Sequence, residues 1–422
     1  MGTVILTIFI IGILIIIHEV GHFLLAKFNG VKVLEFSIGF GPYIVKKQIS
    51  ATVYSLRIIP FGGYVRMSGE DPGKNHYEKH DFLAQPFYKK IAIVLGGPIF
   101  NLIFAILVFI VAYSAVGYPV IPITKIARVE EGSRAYFAGI MPGDSIVEID
   151  NIKVKSWDDF YGEYTKKDTN VVKIYRNDQM VSLILTGKSL DSLGIVPYIP
   201  PLIYKVEKGG AAWESGLKSG DLVLKVGNES VDSWEKFVDL IRSHPGESLS
   251  ITLLRGGDTI RTIIVPRLVE LTDGSKIGRI GVLLPMVYKR LPPLMSLKVS
   301  LVKSYDTTVL LLRYLVRLIR GKSSVKNLGG PIMIGKMVQS SREYGLFNLL
   351  FLVGLISVNL FVINIIPFPA LDGWHVLIFS IEAVRRKPLP SSIQTWLQLV
   401  GFAFLILLML LITFFDILRI IK

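Results

Sequence analysis

Two histidines and a glutamate lie inside an apolar run near the start of the chain, in the stretch IIIHEVGHFLLAKF at residues 15–28. His18 and His22 are four residues apart, so both imidazoles leave one face of an α-helix. Glu19 points partly aside, where its carboxylate can reach a water beside a metal rather than the metal itself. This H-E-x-x-H arrangement is typical of zinc hydrolases.

The motif is too specific to be dismissed as coincidence. Because the chain has only 6 histidines in 422 residues, the motif is expected by chance about 0.003 times per chain of this composition. The alternative is a pair of hydrogen-bonded core histidines beside a buried acid. Ionisable groups inside an apolar span are rare and usually functional, which favours a metal site.

A catalytic zinc needs a third protein ligand and an open position, and the chain has no cysteine. The segment NIIPFPALDGWH, residues 364–375, offers Asp372 and His375. Its two prolines should break the helix, so Asp372 is expected on irregular backbone, which is tolerated at membrane depth only when it lines a cavity. We predict Asp372 as the third ligand and His375 as the alternative.

Two asparagines precede this segment. Asn359 and Asn364 are five residues apart near the end of an apolar run. Either amide could donate to a developing oxyanion or hold a substrate backbone, and the alternative role is hydrogen bonding between helices. Asn364 is the favoured substrate-binding residue, because it begins the segment that leads to Asp372.

The composition is that of a membrane protein. Hydrophobic residues make up 51% of the chain and the mean hydropathy is +0.52, which is too apolar for an ordinary soluble protein. Four runs approach bilayer-spanning length, at about residues 4–26, 91–116, 344–366 and 394–418. The net charge of +14 does not indicate nucleic-acid binding, because no basic cluster is interleaved with aromatic residues.

Basic residues predict the orientation. Residues 27–90 contain ten Lys and Arg, and Arg385, Arg386 and Lys387 lie between the last two apolar runs. Both segments should be cytoplasmic by the positive-inside rule. The termini and the long insert, residues 118–343, are then expected outside.

The insert contains an internal repeat. Residues 129–160 align without a gap to residues 206–237 at an offset of 77, including the pairs Gly143-Asp144 with Gly220-Asp221 and Trp157 with Trp234. One domain copied twice is the simplest explanation. The pattern looks like PDZ domains at about 121–190 and 199–268. These could bind extended peptides by strand addition or could act only as spacers that restrict access.

Two further segments should lie at the membrane. Residues 31–42 and 51–65 alternate partly like strands, so they could form a hairpin whose edge binds an unwound substrate; the alternative is a plain cytoplasmic hairpin. Residues 294–320 combine apolar positions with lysines and arginines, which predicts an amphipathic helix on the outer membrane surface.

Several motifs together resemble the site-two protease family of intramembrane metalloproteases, and the likeness covers essentially the whole chain. They are HEVGH (18–22), FGGYVRM (61–67), GGPIFN (96–101), LGGPI (328–332) and NIIPFPALDG (364–373). The resemblance implies that His18, His22 and Asp372 bind Zn²⁺, that Glu19 is the general base, and that a membrane-reentrant β element lies at the predicted hairpin. Trp374 departs from the family pattern, which has a second glycine there.

The predicted fold is a multi-pass α-helical membrane protein with four transmembrane helices, a membrane-associated β element and two tandem PDZ-like α+β domains on the outer side. The predicted parts are 1–117, 121–190, 199–268, 290–343 and 344–422.

The predicted function is an intramembrane zinc endopeptidase of a bacterial inner membrane. It would cleave single-span membrane proteins, for example anti-sigma factors or signal-peptide remnants, after trimming on the outer side. The expected partners are these substrates, the lipid bilayer and peptides at the PDZ-like domains, but no nucleic acid. The alternatives are a metal-ion transporter and a PDZ membrane scaffold. Glu19 favours a hydrolase, since a transporter needs no base between its ligands.

Overall fold

The structure is a computed structural model that describes residues 2–71, 78–120, 124–270, 275–284, 287–322 and 329–421. The predicted start of the first repeat at 121 and Leu328 of the LGGPI motif lie outside these residues. The chain forms two compact units, one comprising Met1–Gly117 with Arg290–Lys422 and the other Tyr118–Lys289.

The helices, in chain order, are α1 (Gly2–Phe28), α2 (Phe87–Val111), α3 (Arg134–Phe137), α4 (Trp157–Tyr164), α5 (Ala211–Glu214), α6 (Trp234–Arg242), α7 (Pro293–Ile319), α8 (Pro331–Tyr344), α9 (Leu346–Ile365), α10 (Asp372–Arg385) and α11 (Ser391–Ile421). The strands are β1 (Val33–Ile49), β2 (Thr52–Met67), β3 (Tyr118–Val120), β4 (Ile126–Val129), β5 (Ser145–Ile149), β6 (Ile152–Lys153), β7 (Thr169–Arg176), β8 (Gln179–Thr186), β9 (Ile195–Pro197), β10 (Lys205–Val206), β11 (Leu222–Val226), β12 (Glu229–Ser230), β13 (Leu249–Arg255), β14 (Asp258–Ile264), β15 (Arg267–Glu270), β16 (Lys276–Arg279), β17 (Val282–Leu283) and β18 (Val287–Lys289).

Four helices in the described part of the chain are long and apolar enough to cross a membrane. They are Gly2–Phe28, Phe87–Val116, which includes a π-helical turn after α2, Leu346–Ile365 and Ser391–Arg419. Each overlaps one of the four predicted apolar runs, so the predicted spans are confirmed as helices. Their apolar side chains suit a lipid environment, and the helical conformation pairs the backbone polar groups of each segment within that segment.

Small residues bring the first two spans into close contact. An added Cβ at Gly21 of α1 would lie 2.2 Å from the carbonyl oxygen of Gly96 in α2, and one at Gly96 would lie 2.7 Å from the carbonyl oxygen of Gly21. Glycine on both sides therefore allows the backbones to touch, as in other membrane helix pairs. This contact fixes the height at which α2 faces the histidines of α1.

The predicted hairpin is present as β1 and β2, but its pairing is more complex than expected. Residues 35–38 pair with 63–66 on one side and with 53–56 on the other, while residues 43–49 pair with 52–57. Register shifts between these stretches bend both strands. The two strands therefore supply four short segments, and the segment that contains residues 63–66 forms one edge.

The helix predicted at 294–320 is present as α7. Its buried positions are Ser296, Ser300, Ser304 and Thr307, while Leu311 and Leu315 pack on a buried cluster formed by α2 and α9. One face of α7 therefore packs on protein through small hydroxyl side chains, which an apolar pattern in the sequence does not reveal. Its position at the outer membrane surface stays a prediction.

The second unit contains two four-stranded sheets with the same arrangement, ordered β6-β5-β7-β8 and β12-β11-β13-β14. Equivalent serines, Ser156 and Ser233, cap α4 and α6 through bonds from backbone N–H groups. Helices α4 and α6 begin with Trp157 and Trp234, and each tryptophan is buried in one of two separate hydrophobic cores. The 77-residue repeat therefore corresponds to equivalent elements, and the identification with PDZ domains stays a prediction.

The two ends of the second unit pair with each other. Tyr118 to Val120 of β3 are antiparallel to Val287 to Lys289 of β18. The Tyr118 hydroxyl donates to Asp158 over 2.5 Å, and Lys289 donates to Asp159. A two-stranded ribbon is thus fastened to α4 at the points where the chain enters and leaves this unit.

Candidate active site

His18, His22 and Asp372 come together around one point. His18 and His22 lie on one face of α1, with their Nε2 atoms 3.2 Å apart. Asp372 approaches from α10, with Oδ2 3.1 Å from His18 Nε2 and Oδ1 3.5 Å from His22 Nε2. Among the described residues, His18, His22 and Asp372 are the group of three potential metal ligands whose ligand atoms all lie within 4.8 Å of one another.

The triangle has the size that a zinc ion requires. Ligands about 2.0–2.2 Å from a tetrahedral zinc lie about 3.3–3.5 Å from one another, close to the separations observed here. The buried Asp372 Oδ2 faces the ligand nitrogen of His18 at 3.1 Å and has no other polar partner, although a buried carboxylate oxygen normally has a hydrogen-bond donor of its own. Two imidazole nitrogens and a carboxylate oxygen form a donor set found in catalytic zinc sites, so the residues fit this metal.

The backbone at Asp372 differs from the prediction, which placed it on irregular chain. The prolines end α9 at Ile365 as expected, but the irregular stretch covers only residues 366–371, and Asp372 is the first residue of α10. An added Cβ at Gly373 would lie 2.1 Å from the carbonyl oxygen of Ile365. Glycine therefore lets the new helix begin immediately against the end of the old one, and a carboxylate is favourable at a helix N-terminus.

Trp374 and His375 continue this helix. The Trp374 N–H donates to the Leu371 carbonyl over 3.1 Å, so the tryptophan does not prevent the helical turn. His375 Nε2 lies 3.5 Å from Gln398 Nε2, and its ring tilts toward Phe379. His375 lines the same cavity but is not part of the three-residue group, so the alternative third ligand is not brought into position.

Glu19 lies between the metal group and the hairpin. An added Cβ at Gly63 of β2 would lie 3.0 Å from Glu19 Cγ, so glycine there allows the strand to approach the carboxylate. Glu19 lines a cavity of about 1030 Å³ together with His18, His22 and Asp372. The cavity is large enough for a short extended peptide segment as well as water.

The two candidate asparagines differ in position. Asn364 lines the cavity, whereas Asn359 is not among the lining residues. Only Asn364 is therefore placed where its amide can meet a ligand in the cavity. Asn359 lies more than one helical turn earlier on α9, which suits its alternative role between helices.

One edge of the hairpin lines the cavity through residues 63–65 and Met67. On its inner side this edge pairs with β1, and no strand in the described part of the chain pairs with its other side. Unpaired strand edges bind extended chains through backbone hydrogen bonds. The free edge runs beside Glu19, where such a chain would reach the metal group.

A buried ion pair stiffens this sheet. Glu35 is 4% exposed and accepts hydrogen bonds from Arg57 over 2.8 Å and from Ser55 over 3.0 Å. Burial acts to raise the pKa of Glu35, but these hydrogen bonds outweigh it and hold the pKa below its ordinary value. Arg57 also donates to the Tyr64 hydroxyl over 2.7 Å, so the pair reaches the edge that lines the cavity.

The second helix contributes a contact that the sequence did not reveal. The carbonyl oxygen of Ile93 accepts a bond from His22 Nδ1 over 2.9 Å, and Asn101 Nδ2 lies 3.3 Å from His18 Nδ1. Between them, Gly97 leaves room for both rings. The sequence signal was the four-residue spacing of these positions, which becomes informative only when the contact face of α2 is known.

Comparison with known proteins agrees with this geometry. The model of peptidase family M50 matches residues 6–408. A putative zinc metalloprotease of Vibrio cholerae is 32% identical over 97% of both chains. The regulator of sigma-E protease RseP of Escherichia coli is 32% identical over 96% of both. The zinc metalloprotease RasP of Geobacillus kaustophilus is 31% identical over 97% of this chain and 96% of its own.

Among solved structures, the PDZ domain of an SdrC-like protein from Listeria monocytogenes is similar to part of the chain. It is 23% identical, with a TM-score of 0.18, and covers 21% of this chain and 90% of its own.

Proposed function

The chain belongs to peptidase family M50 and is a zinc metalloprotease of the site-two type; from that premise, we propose that it hydrolyses peptide bonds within the transmembrane segments of single-span membrane proteins. His18, His22 and Asp372 would hold the zinc. The observation that carries the proposal is the triangle of 3.1–3.5 Å between their ligand atoms, formed on and beside apolar helices.

In the proposed reaction, a zinc ion held by these three residues would supply Lewis acidity, polarising the scissile carbonyl and lowering the pKa of the attacking water. Glu19 takes a proton from that water and later passes it to the leaving amine. The position of Glu19 supports this role, because it follows His18 directly on α1 and lines the same cavity as the three ligand residues. Asn364 is proposed to donate its amide N–H to the substrate carbonyl as charge develops there.

The substrate must be unwound before cleavage, because the carbonyls of a transmembrane helix are occupied by i,i+4 hydrogen bonds. We propose that the free edge at residues 63–67 holds the unwound segment by strand addition. The hairpin also exposes apolar side chains, among them Phe40, Ile44 and Ile58. These support a membrane-inserted hairpin, which would deliver the edge to a substrate inside the bilayer.

For the arrangement in the cell, we propose a bacterial inner membrane with the active site toward the cytoplasmic side and the repeated domains in the periplasm. The basic segments 27–90 and 385–387 support this orientation. The repeated domains would restrict access to substrates that have already lost their outer domains, and they could also bind peptides.

The metal site is tested by elemental measurement of purified variants. Asp372→Ala should lose most of the zinc that the parent protein holds, about one ion per chain, because two histidines alone bind it weakly. His375→Ala is the matched control, since this residue is on the same helix and lines the same cavity but lies outside the ligand group. Unchanged zinc in Asp372→Ala would remove Asp372 from the site.

The substrate class is tested by co-expression with a library of tagged single-span proteins. Fragments cut within the apolar segment should appear with the parent protein and disappear with Glu19→Gln. Fragments cut only outside the apolar segments would contradict cleavage within the bilayer.

A further inference from the structure

One face of α2 contacts both histidines: Ile93 and Asn101 face their Nδ1 atoms, and Gly97 lies between, against both rings. Positions 93, 97 and 101 are spaced by four residues, so they share that face. The Ile93 carbonyl can only accept, so His22 Nδ1 carries the proton in their 2.9 Å bond. The unprotonated Nε2 of His22 is then free for a metal.

His18 has no such carbonyl partner. The contact that its Nδ1 makes is with the side-chain amide of Asn101, at 3.3 Å. Asn101 is completely buried, and its Oδ1 has no hydrogen-bond partner. A buried amide with an unpaired oxygen is costly unless something compensates for it.

The oxygen gains a partner if it faces the histidine. A metal on Nε2 of His18 requires the proton on Nδ1, so the group facing Nδ1 must accept a hydrogen bond. A half-turn of the amide exchanges its nitrogen and oxygen without moving any other atom. Oδ1 then takes the position 3.3 Å from Nδ1 and gains a donor, while the NH2 group takes the position that Oδ1 leaves.

We propose that Asn101 is the positioning residue for His18. Its side-chain oxygen accepts the Nδ1 proton and keeps Nε2 unprotonated and aimed at the zinc. Asn101 thus serves His18 as the Ile93 carbonyl serves His22, and α2 sets the tautomer of both ligands. This inference rests on the proposed zinc site.

The position of Asn101 is itself secured. The Ser357 hydroxyl of α9 donates to the main-chain oxygen of Asn101 over 2.7 Å, and both residues are completely buried. This bond holds the backbone of α2 without using the amide. Ser357 therefore provides a control that perturbs the same helix contact and leaves the proposed acceptor in place.

The test compares zinc affinity, measured by competition with a chelator, in three variants of the full-length protein. Asn101→Leu has a similar size but no acceptor, and it should bind zinc about 10–100-fold more weakly, as is usual when a ligand loses its outer partner. Asn101→Asp retains an acceptor, so it and Ser357→Ala should stay within about threefold of the parent protein. With cobalt in place of zinc, only Asn101→Leu should change the visible absorption spectrum.

Two results would overturn the proposal. One is parent-like zinc affinity in Asn101→Leu. The other is equal weakening in Asn101→Leu and Asn101→Asp, which would show that the site needs the packing of asparagine rather than an acceptor. Unchanged zinc content in Asp372→Ala would instead contradict the proposed metal site. Failure of the Asn101 proposal and failure of the metal site are therefore distinguishable.

Discussion

Gly97→Ala adds one methyl group at the centre of the contact between α2 and the histidines. The new Cβ would lie 2.3 Å from His22 Nε2 and 2.6 Å from His18 Cε1. Moving α2 away from α1 would break the close contact between Gly21 and Gly96. We therefore expect the two histidine rings to move instead.

The size of that movement follows from ordinary contact distances. Van der Waals contact begins at 3.4 Å, so the His22 ring must withdraw by about 1.1 Å, whereas metal–ligand distances tolerate about 0.2 Å. A displacement of about 1 Å in a catalytic group can reduce the rate about 10²-fold. Overpacking of a core also costs about 1–3 kcal/mol of stability, which should leave the protein folded.

The assay measures zinc content and cleavage of a tagged single-span substrate in detergent. Gly97→Ala should lose at least about 10²-fold in cleavage together with most of its zinc. Gly12→Ala is the matched control on α1, because an added Cβ there meets no atom within 4 Å, and it should behave like the parent protein. If Gly97→Ala retained zinc and cleaved at the parent rate, α2 would not set the position of the histidines.

Three further outcomes are expected. Residues 119–288 can be replaced by a short Gly/Ser linker, because Tyr118 and Lys289 are already paired. This variant should still cleave a trimmed substrate and should also admit substrates with intact outer domains. If the folded variant no longer cleaved the trimmed substrate, the repeats would be part of substrate binding. A reporter after Lys387 should be cytoplasmic and one near Gly256 outside, and the reverse result would contradict the outer-trimming proposal. Burial acts to raise the pKa of Asp159, but hydrogen bonds from Lys289 and Ser156 outweigh it and hold that pKa below its ordinary value. The ion pair therefore stabilises the fold above about pH 4 and is lost as the pH falls. Asp159→Asn should reduce the free energy of unfolding by about 1 kcal/mol or less at neutral pH and should have no effect in strong acid. An equal effect at both pH values would exclude the ion pair as the cause.

The parts of the fold that the sequence predicted well are those governed by strong local signals. A run of about 20 apolar residues has few alternatives to a spanning helix, so four such runs give four helices. The repeat was visible because equivalent residues keep one offset through Trp157 and Trp234. The metal group was visible because a four-residue spacing on a helix fixes the relative position of two histidines without any tertiary information.

Other features depend on contacts that lie far apart in the chain. Helix α8 begins at Pro331 with no side-chain cap from its own first residues. Asp416 takes that role by accepting hydrogen bonds from the N–H groups of Gly330 and Met333. No local pattern indicates this partner, which lies 86 residues from Gly330. The hairpin likewise folds into four segments through register shifts that strand alternation does not encode.

Asn101 illustrates the same limit within the site. Its motif GGPIFN was recognised, but in a sequence alone the glycines of that motif indicate no more than close helix packing. The contact with His18 depends on which face of α2 meets α1, and that face is set by Gly21 and Gly96. A residue that acts through a ligand is therefore harder to find in a sequence than the ligand itself.

The central claim, that a zinc-dependent hydrolysis uses Glu19 as its base, is tested most directly by Glu19→Gln. The glutamine keeps the size of the side chain but cannot accept the proton, while His18, His22 and Asp372 remain to hold zinc. Zinc content and substrate cleavage should be measured in the same purified sample. We expect parent-like zinc with cleavage reduced about 10²–10⁴-fold. Cleavage at the parent rate with zinc bound would contradict the mechanism.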